Sequence, residues 1–261
     1  MSVYLAFSDE SGVGDPRGKF LVAGYLAPES KWPALISAWQ SRVLDGPPRI
    51  PYLHMTDIRS NAWRSEHAIS YNEAEGRVAE AIRVIYSTGA MSAVASVITR
   101  ADLQDLFHRP HRRRKDIPVG LDEPDYACYL AFINIMLLRA YKLHPDATKV
   151  NFIVSYKEVV TKGLNNLTDV TRHWLKSERP EIAALFGDVI PASMEEELPL
   201  QAADALCWHL QCYYRGGYSR IEENRMWYLL KERDGDLHEW TTDELKHVAD
   251  QIAALRNKAK T

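Results

Sequence analysis

Along Val3–Asp9, Val3, Leu5 and Phe7 fall on one side of an extended chain and Tyr4 and Ala6 on the other. Apolar residues on both sides predict a central strand covered on both faces. The turn formers Ser11-Gly12-Val13-Gly14-Asp15-Pro16 follow, and Lys19–Leu26 reads as a second strand, so the chain is predicted to open with an antiparallel hairpin. Trp32, Leu35, Ile36, Trp39 and Val43 recur at helical spacing and predict a helix over Trp32–Leu44, closed by Gly46-Pro47-Pro48. Arg49–Trp63 keeps neither period and reads as loop with a short strand.

Ser70 with Glu73 three residues on forms a capping box. It opens a helix that buries Ala74, Val78, Ala81, Ile82 and Ile85 and stops before Gly89, and Ala90–Thr99 is strand-like. His108–Asp122 is polar and basic. A helix from Pro124 to about Tyr141 is apolar almost all round, which predicts burial against a sheet. Lys149–Tyr156 reads as strand, Leu164–Ser177 as helix, Asp188–Ala192 as a short strand and Leu198–Tyr214 as helix. Two amphipathic helices, near Tyr218–Lys231 and Asp243–Lys258, close the chain, the second opened by a Thr241/Glu244 capping box. The order predicts an α/β protein: a mixed sheet with helices on both faces and a C-terminal helical extension.

Composition changes this little. A chain of 261 residues is near the upper limit for one domain, and 46% hydrophobic with 26% charged residues is ordinary for a folded protein. One domain over 1–215, with a helical extension over 216–261 packed on it, is the expected organisation. A net charge of −3 points to no partner, so local charge has to carry that argument. The three cysteines, Cys128, Cys207 and Cys212, have no framework spacing and suit a reducing compartment. The first residues lack the basic start and long apolar run of a signal peptide, and Tyr126–Leu138 is too short to span a bilayer. Cytoplasmic location and no membrane partner are the expectation.

Candidate chemistry begins at Asp9-Glu10-Ser11-Gly12, at the end of the first strand, where side chains of α/β sheets leave the core. The same residues are also what a plain turn prefers. Gln201 and Asp204, three apart on one helix face, stand among almost uniformly apolar neighbours. A carboxylate there needs a partner, and an Arg, a backbone donor or a metal ion would each serve. Glu195-Glu196-Glu197 is either a solvated loop or a source of one inward-turned acid. Acids from separate elements suit Mg²⁺ or Mn²⁺, hard ions that take oxygen ligands. Arg109, Arg112, Arg113, Arg114 and Lys115 make the densest run of positive charge in the chain. That run is a solvated loop or a clamp on a phosphate backbone. His54 either lines the site or is structural. Cys207, His209 and Cys212 point around different sides of one helix and do not suit zinc. There is no Gly-x-Ser-x-Gly elbow, phosphate-binding Gly-rich loop or His-Glu-x-x-His.

Asp9-Glu10-Ser11-Gly12, Gly24-Tyr25-Leu26, Leu53-His54-Met55-Thr56-Asp57 and Leu200-Gln201-Ala202-Ala203-Asp204, in that order, resemble the bacterial and phage family of domain of unknown function 3800. The resemblance spans about residues 3 to 215. It implies a ribonuclease H-like fold, with one Asp on the first strand and another on a late helix. Carried over, Asp9 and Glu10 match the first acids, and Gln201 and Asp204 the Gln-x-x-Asp motif. The implied activity is hydrolysis of nucleic-acid phosphodiesters with two divalent ions about 3.5–4 Å apart. Asp9, Asp204 and Glu195 would be ligands, Glu10 a supporting ligand or base, and Gln201 would orient water or Asp204. One position departs: the family has an Asp at the end of the strand that here reads Ser155-Tyr156. Glu158 or an acid of Glu195–Glu197 takes its place, or the set is incomplete and the protein binds nucleic acid or a protein partner without cutting.

Overall fold

A computed structural model of the protein describes residues 2–12, 18–89, 91–102, 124–155, 168–169, 171–216, 235–247 and 250. β1 (Ser2–Ser11) lies in the middle of a six-stranded sheet with β2 (Lys19–Pro28), β3 (Ser92–Thr99), β4 (Ala147–Ser155), β5 (Phe186–Ala192) and β6 (Asp236–Glu239). The strand order is β5-β4-β1-β2-β3-β6. β1, β2 and β3 run as an antiparallel meander, while β4 pairs parallel to β1 and β5 parallel to β4. A meander flanked by parallel strands beside β1 is a ribonuclease H-like mixed sheet.

Helices cover both faces. Those that enter the argument are α1 (Trp32–Ala38), α2 (Met55–Arg59), α3 (Asn61–Glu66), α4 (Tyr71–Ser87), α5 (Pro124–Leu143), α6 (Pro180–Ala183) and α7 (Leu198–Tyr214). α1, α4 and α7 pack over Phe7, Ala23, Tyr25 and Ala95, while α5 packs over Tyr4, Ala6, Val22 and Phe152. The double-sided apolar pattern of β1 has its cause here, since neither face reaches solvent. Gly12 ends β1 with φ +92°, and a Cβ there would lie 2.2 Å from the Lys19 carbonyl oxygen, so only glycine turns the chain at that point.

Local signals account for the long elements. The Ser70/Glu73 capping box forms in full at the start of α4, with Gly89 in a left-handed conformation after its end. The helix predicted over Trp32–Leu44 is continuous, although Trp39–Leu44 is wound as a π-helix. Two expectations change. Arg49–Trp63 holds the short helices α2 and α3, too brief to show a periodic stripe. The C-terminal extension also contributes a strand: β6 pairs parallel with β3. Asp-Leu-His-Glu has one apolar residue and no strand signal of its own. It is held instead by Lys19 and Tyr214, which bind Glu239 at 2.8 and 2.6 Å. The predicted helix near Tyr218–Lys231 lies outside the described residues, while the Thr241/Glu244 capping box is formed.

His209 of α7 is 2% exposed. Burial, with the Arg59 charge second, lowers its pKa to about 3 from 6.5. Folded and unfolded chains both carry it neutral above 6.5, whereas between 6.5 and 3 only the unfolded chain takes up the proton. Stability is therefore expected to fall as pH drops through that window, by up to about 1.4 kcal/mol per pH unit from this residue. Urea unfolding at pH 7.5, 5.5 and 4.5 checks this, and His209→Gln should flatten the slope.

Candidate functional site

Strand alternation decides which acids can meet. Phe7 of β1 packs under α7, so Asp9, two residues on, points to the same face. Glu10 points the opposite way, toward α5, where the Tyr129 hydroxyl donates to its Oε2 at 2.5 Å. Both acids are buried. Burial and the neighbouring Glu10 push the Tyr129 pKa well up, so the phenol stays protonated and keeps its hydrogen for Glu10. The supporting-ligand role expected for Glu10 remains a proposal: its hydrogen bond runs to the α5 face, while its charge still reaches Cys207 on the other. Glu10 fastens α5 to the sheet.

On the α7 face the polar groups converge. Cys207 donates its thiol hydrogen to the Asp9 carbonyl oxygen, with Sγ 2.9 Å away. Its pKa is pushed well up, first by burial and then by the charges of Asp9 and Asp204. Cys207 stands three residues after Asp204 on one face of α7, so its bond to Asp9 brings the two acidic residues to the same side of the sheet, although 195 residues separate them in sequence. Ser155 joins them. Ser8 pairs with Val154 in the parallel β1–β4 register, so Asp9 and Ser155 follow as neighbours on one face. Ser155 is buried. Ser155 thus puts a hydroxyl at the end of β4 beside Asp9.

Gln201 is tied into the scaffold. Its Oε1 accepts from Trp39 Nε1 at 2.8 Å and from the Leu53 N–H at 3.0 Å, and its Nε2 donates to the Met194 carbonyl at 2.8 Å. Both acceptor positions of Oε1 are spent on the scaffold. Gln201 is a brace between α7, the π-wound turn and the 53–57 segment. Asp204 acts beside it: Oδ2 accepts from the Met55 N–H at 2.7 Å, capping α2 from 149 residues away. Of the partners open to this carboxylate, a backbone donor is one that forms.

Between these two anchored N–H groups stands His54. Its Nδ1 lies 3.0 Å from Asp57 Oδ2 and its Nε2 3.8 Å from Asp204 Oδ1. The Tyr52 hydroxyl donates to the same Asp57 oxygen at 3.0 Å. His54, open between lining the site and serving structure, is a partly exposed ring between Asp57 and Asp204. Glu195 is exposed in the turn before α7, its N–H donating to Ser193 Oγ, and its charge is felt by Tyr52 rather than at Cys207. Glu158 and the basic run Arg109, Arg112–Arg114 and Lys115 lie outside the described residues.

Among the described residues no group of three or more His, Cys, Asp or Glu side chains is arranged to hold a metal ion. Asp9, Asp204 and Glu195 do not assemble as a three-ligand centre. Two carboxylates do suit the way Mg²⁺ is commonly held, through one or two protein oxygens with waters and substrate phosphate making up the rest.

Sequence comparison adds no family: no protein-family model and no curated protein matches the chain. Solved structures do. The ribonuclease HII of Archaeoglobus fulgidus in complex with PCNA aligns at 16% identity and TM-score 0.38, over 86% of this chain and 78% of that one. Bst ribonuclease HIII in complex with Mn²⁺ aligns at 13% identity and TM-score 0.38, over 100% of this chain and 71% of that one. Likeness of this extent assigns no role to any residue here. No described helix is long and apolar enough to cross a membrane.

Sequence reading missed Asp57, Tyr52 and Cys207 as parts of this centre, and Tyr129 as the partner of Glu10 on the opposite face. Asp57 stands three residues after His54, a spacing that places both on one side of a helical turn and could have signalled the pair. The other three had no local signal.

Proposed function

We propose that this chain is a ribonuclease H-like nuclease that hydrolyses nucleic-acid phosphodiesters at the Asp9/Asp204 pocket. The observation that supports the reading is the bond from Cys207 of α7 to the Asp9 carbonyl at 2.9 Å, three residues after Asp204 on the same helix face, which brings both acidic residues to the end of the central strand. Functional groups gather at such strand ends because the chain leaves the core there. Two carboxylates beside a phosphodiester repel it, so the reading includes Mg²⁺ or Mn²⁺ shared by Asp9, Asp204 and the substrate. Such an ion supplies charge stabilisation at the phosphoryl oxygens. Asp204 holds its carboxylate at the pocket through the Met55 N–H, the Gln201 brace keeps the wall rigid, and buried Cys207 excludes water behind the pair. The clamp assigned to Arg109, Arg112–Arg114 and Lys115 rests on their charge.

Single- and double-stranded DNA and RNA incubated with Mg²⁺ or Mn²⁺ provide the test, beside EDTA controls, Asp9→Asn and Asp204→Asn. Metal-dependent cleavage lost in both variants is the expected result. Cleavage that survives both would overturn the assignment. A second reading, binding without cleavage, is favoured by Ser155 beside Asp9 and by Glu10 on the opposite face. Salt-sensitive binding with no cutting under any metal would establish it.

A further inference from the structure

α5 is apolar almost all round, and Asn134, Arg139 and Lys142 break that pattern. They share a stripe with Ile135 and Leu138, turned away from the buried Met136, Leu137 and Ala140. β6 faces this stripe. Leu237 packs with the core under α7 and Trp240 with the core under α5, so Asp236 and His238, on the same side of the chain as Trp240, look toward α5. Between α5 and this side of β6 lies a cavity of about 620 Å³, across the sheet from Asp9 and Asp204. Its size is that of a small-molecule site.

Arg139, on the cavity wall, is not explained by packing. Its side chain is 14% exposed, yet Nε is enclosed without an acceptor among the described residues, and Nη1 reaches only Asp236 Oδ2, at 3.6 Å. That is beyond hydrogen-bond range, and Asp236 is itself half-exposed, so the pair is weak. A guanidinium drawn this far out of water without a hydrogen bond is costly, and an oxyanion in the cavity relieves it. Lys142, three residues on and exposed, adds a second positive charge to the stripe. Of the two acids on the wall, Glu244 is spent on its cap, where Oε2 accepts from the Thr241 N–H at 2.9 Å and from its hydroxyl at 2.8 Å. About 7.5 Å along the helix axis from Arg139, Asn134 Oδ1 is a second enclosed atom with no partner among the described residues. Trp240 adds an apolar wall, its ring fixed by the bond from Nε1 to Ser96 Oγ at 2.9 Å.

We propose that this cavity binds a nucleoside monophosphate, with the phosphate between Arg139 and Lys142, the base against Trp240 and its polar edge at Asn134. The guanidinium fork matches a phosphate in geometry and charge, and the ammonium adds to it. A fixed aromatic wall suits a flat base, and the donors and acceptors on the edge of a base match those of an amide. One nucleotide spans the distance from Arg139 to Asn134. The site does not depend on the nuclease reading, which concerns the other face of the sheet.

Calorimetric titration of the whole chain with adenosine monophosphate, adenosine and inorganic phosphate is the test, in EDTA so that no metal draws phosphate to Asp9 and Asp204. The monophosphate is expected to bind at millimolar concentration or below, and about ten-fold or more tighter than either fragment, since phosphate and base contacts add. Arg139→Met should lose about ten-fold or more, the hydrogen bonds of a charged group. Lys142→Ala should lose roughly two- to five-fold, and Asp236→Asn should gain as much, because a competing acid is removed. Asp9→Asn should bind as wild type does. Tm in the absence of ligand separates the structural alternative: Arg139→Met should hold or raise it, because no hydrogen bond is lost. Arg139→Lys, which keeps the charge and loses the fork, carries the same test if the Met variant does not fold. Nucleotide no tighter than inorganic phosphate, affinity unchanged in the Arg139 variants, or no binding at all would each overturn the inference. So would a loss of affinity in Asp236→Asn that tracks a lowered Tm, which would make the Arg139–Asp236 pair structural.

Discussion

Replacing Gln201 by Ala is expected to lower the unfolding free energy by about 3–6 kcal/mol, because three buried polar groups lose their partner together. The indole N–H of Trp39, the backbone N–H of Leu53 and the carbonyl of Met194 all end on this one amide. Each group left unsatisfied out of water costs about 1–3 kcal/mol, and the site is too well packed for water to enter freely. Two neighbouring substitutions separate the causes. Gln201→Met keeps the volume and loses the bonds, so it should cost nearly as much as Ala. Gln201→Glu keeps acceptors for Trp39 and Leu53 but turns an oxygen against the Met194 carbonyl. It should therefore be destabilising at neutral pH and partly recover in acid, where a protonated carboxyl can donate. Urea unfolding of the three variants at pH 7.5 and 5.0 reads both effects. A Gln201→Ala protein within 1 kcal/mol of wild type, as an order of magnitude, would mean that the brace is not structural.

A comparable loss is expected for Gly24→Ala, of about 4 kcal/mol or more. Gly24 lies opposite Ser8 in the β1–β2 pair, and a Cβ there would stand 1.9 Å from the Phe7 carbonyl oxygen and 2.9 Å from Ser8 Cα. These atoms are backbone, so no rotamer change relieves the overlap, and β1 must move away from β2. β1 is also paired to β4 and covered by helices on both faces, which leaves it little room to shift. Asp9 follows Ser8 directly, so the displacement reaches the pocket. Gly24→Ala is expected to show both a lowered Tm and, where cleavage is measured, a loss of activity out of proportion to the fraction unfolded. Gly76→Ala is the contrast: nothing lies within 4 Å of its Cβ position, and a helical Gly→Ala change there should stabilise by up to about 1 kcal/mol. Had Gly24→Ala melted like wild type, the close approach of β1 and β2 would be wrong.

Several parts of the candidate site were visible in the sequence. Asp9 was marked by its place at the end of a doubly apolar strand, and Asp204 by being an acid on an otherwise apolar helix. Both signals are local, and Cys207 of α7, three residues after Asp204, bonds to Asp9. Glu10 carried the same signal as Asp9 and lies on the other face. Adjacency in sequence looks like proximity, but the period of two in a strand sends neighbours apart. Gln201 was visible as a polar residue in an apolar helix, while its partners at Trp39 and Leu53 lie 162 and 148 residues away and leave no trace near it.

The sequence by itself determined the strands and long helices that obey a period and end at their own caps. β1 is read from apolar residues on both sides, α4 from Ser70 and Glu73, α5 and α7 from near-continuous apolar faces. Those signals lie within one or two turns of the residues they govern, so the chain states them locally. Tertiary structure alone decided the rest. α2 starts where it does because Asp204 caps Met55 across 149 residues, and β6 exists because Lys19, Tyr214 and the edge of β3 hold four residues with no strand character. His54 acquires its direction from two side chains of α7 and one of α2. Such contacts form only once distant segments are brought together by burying the apolar faces, and the free energy that fixes them comes from partners that no stretch of sequence contains.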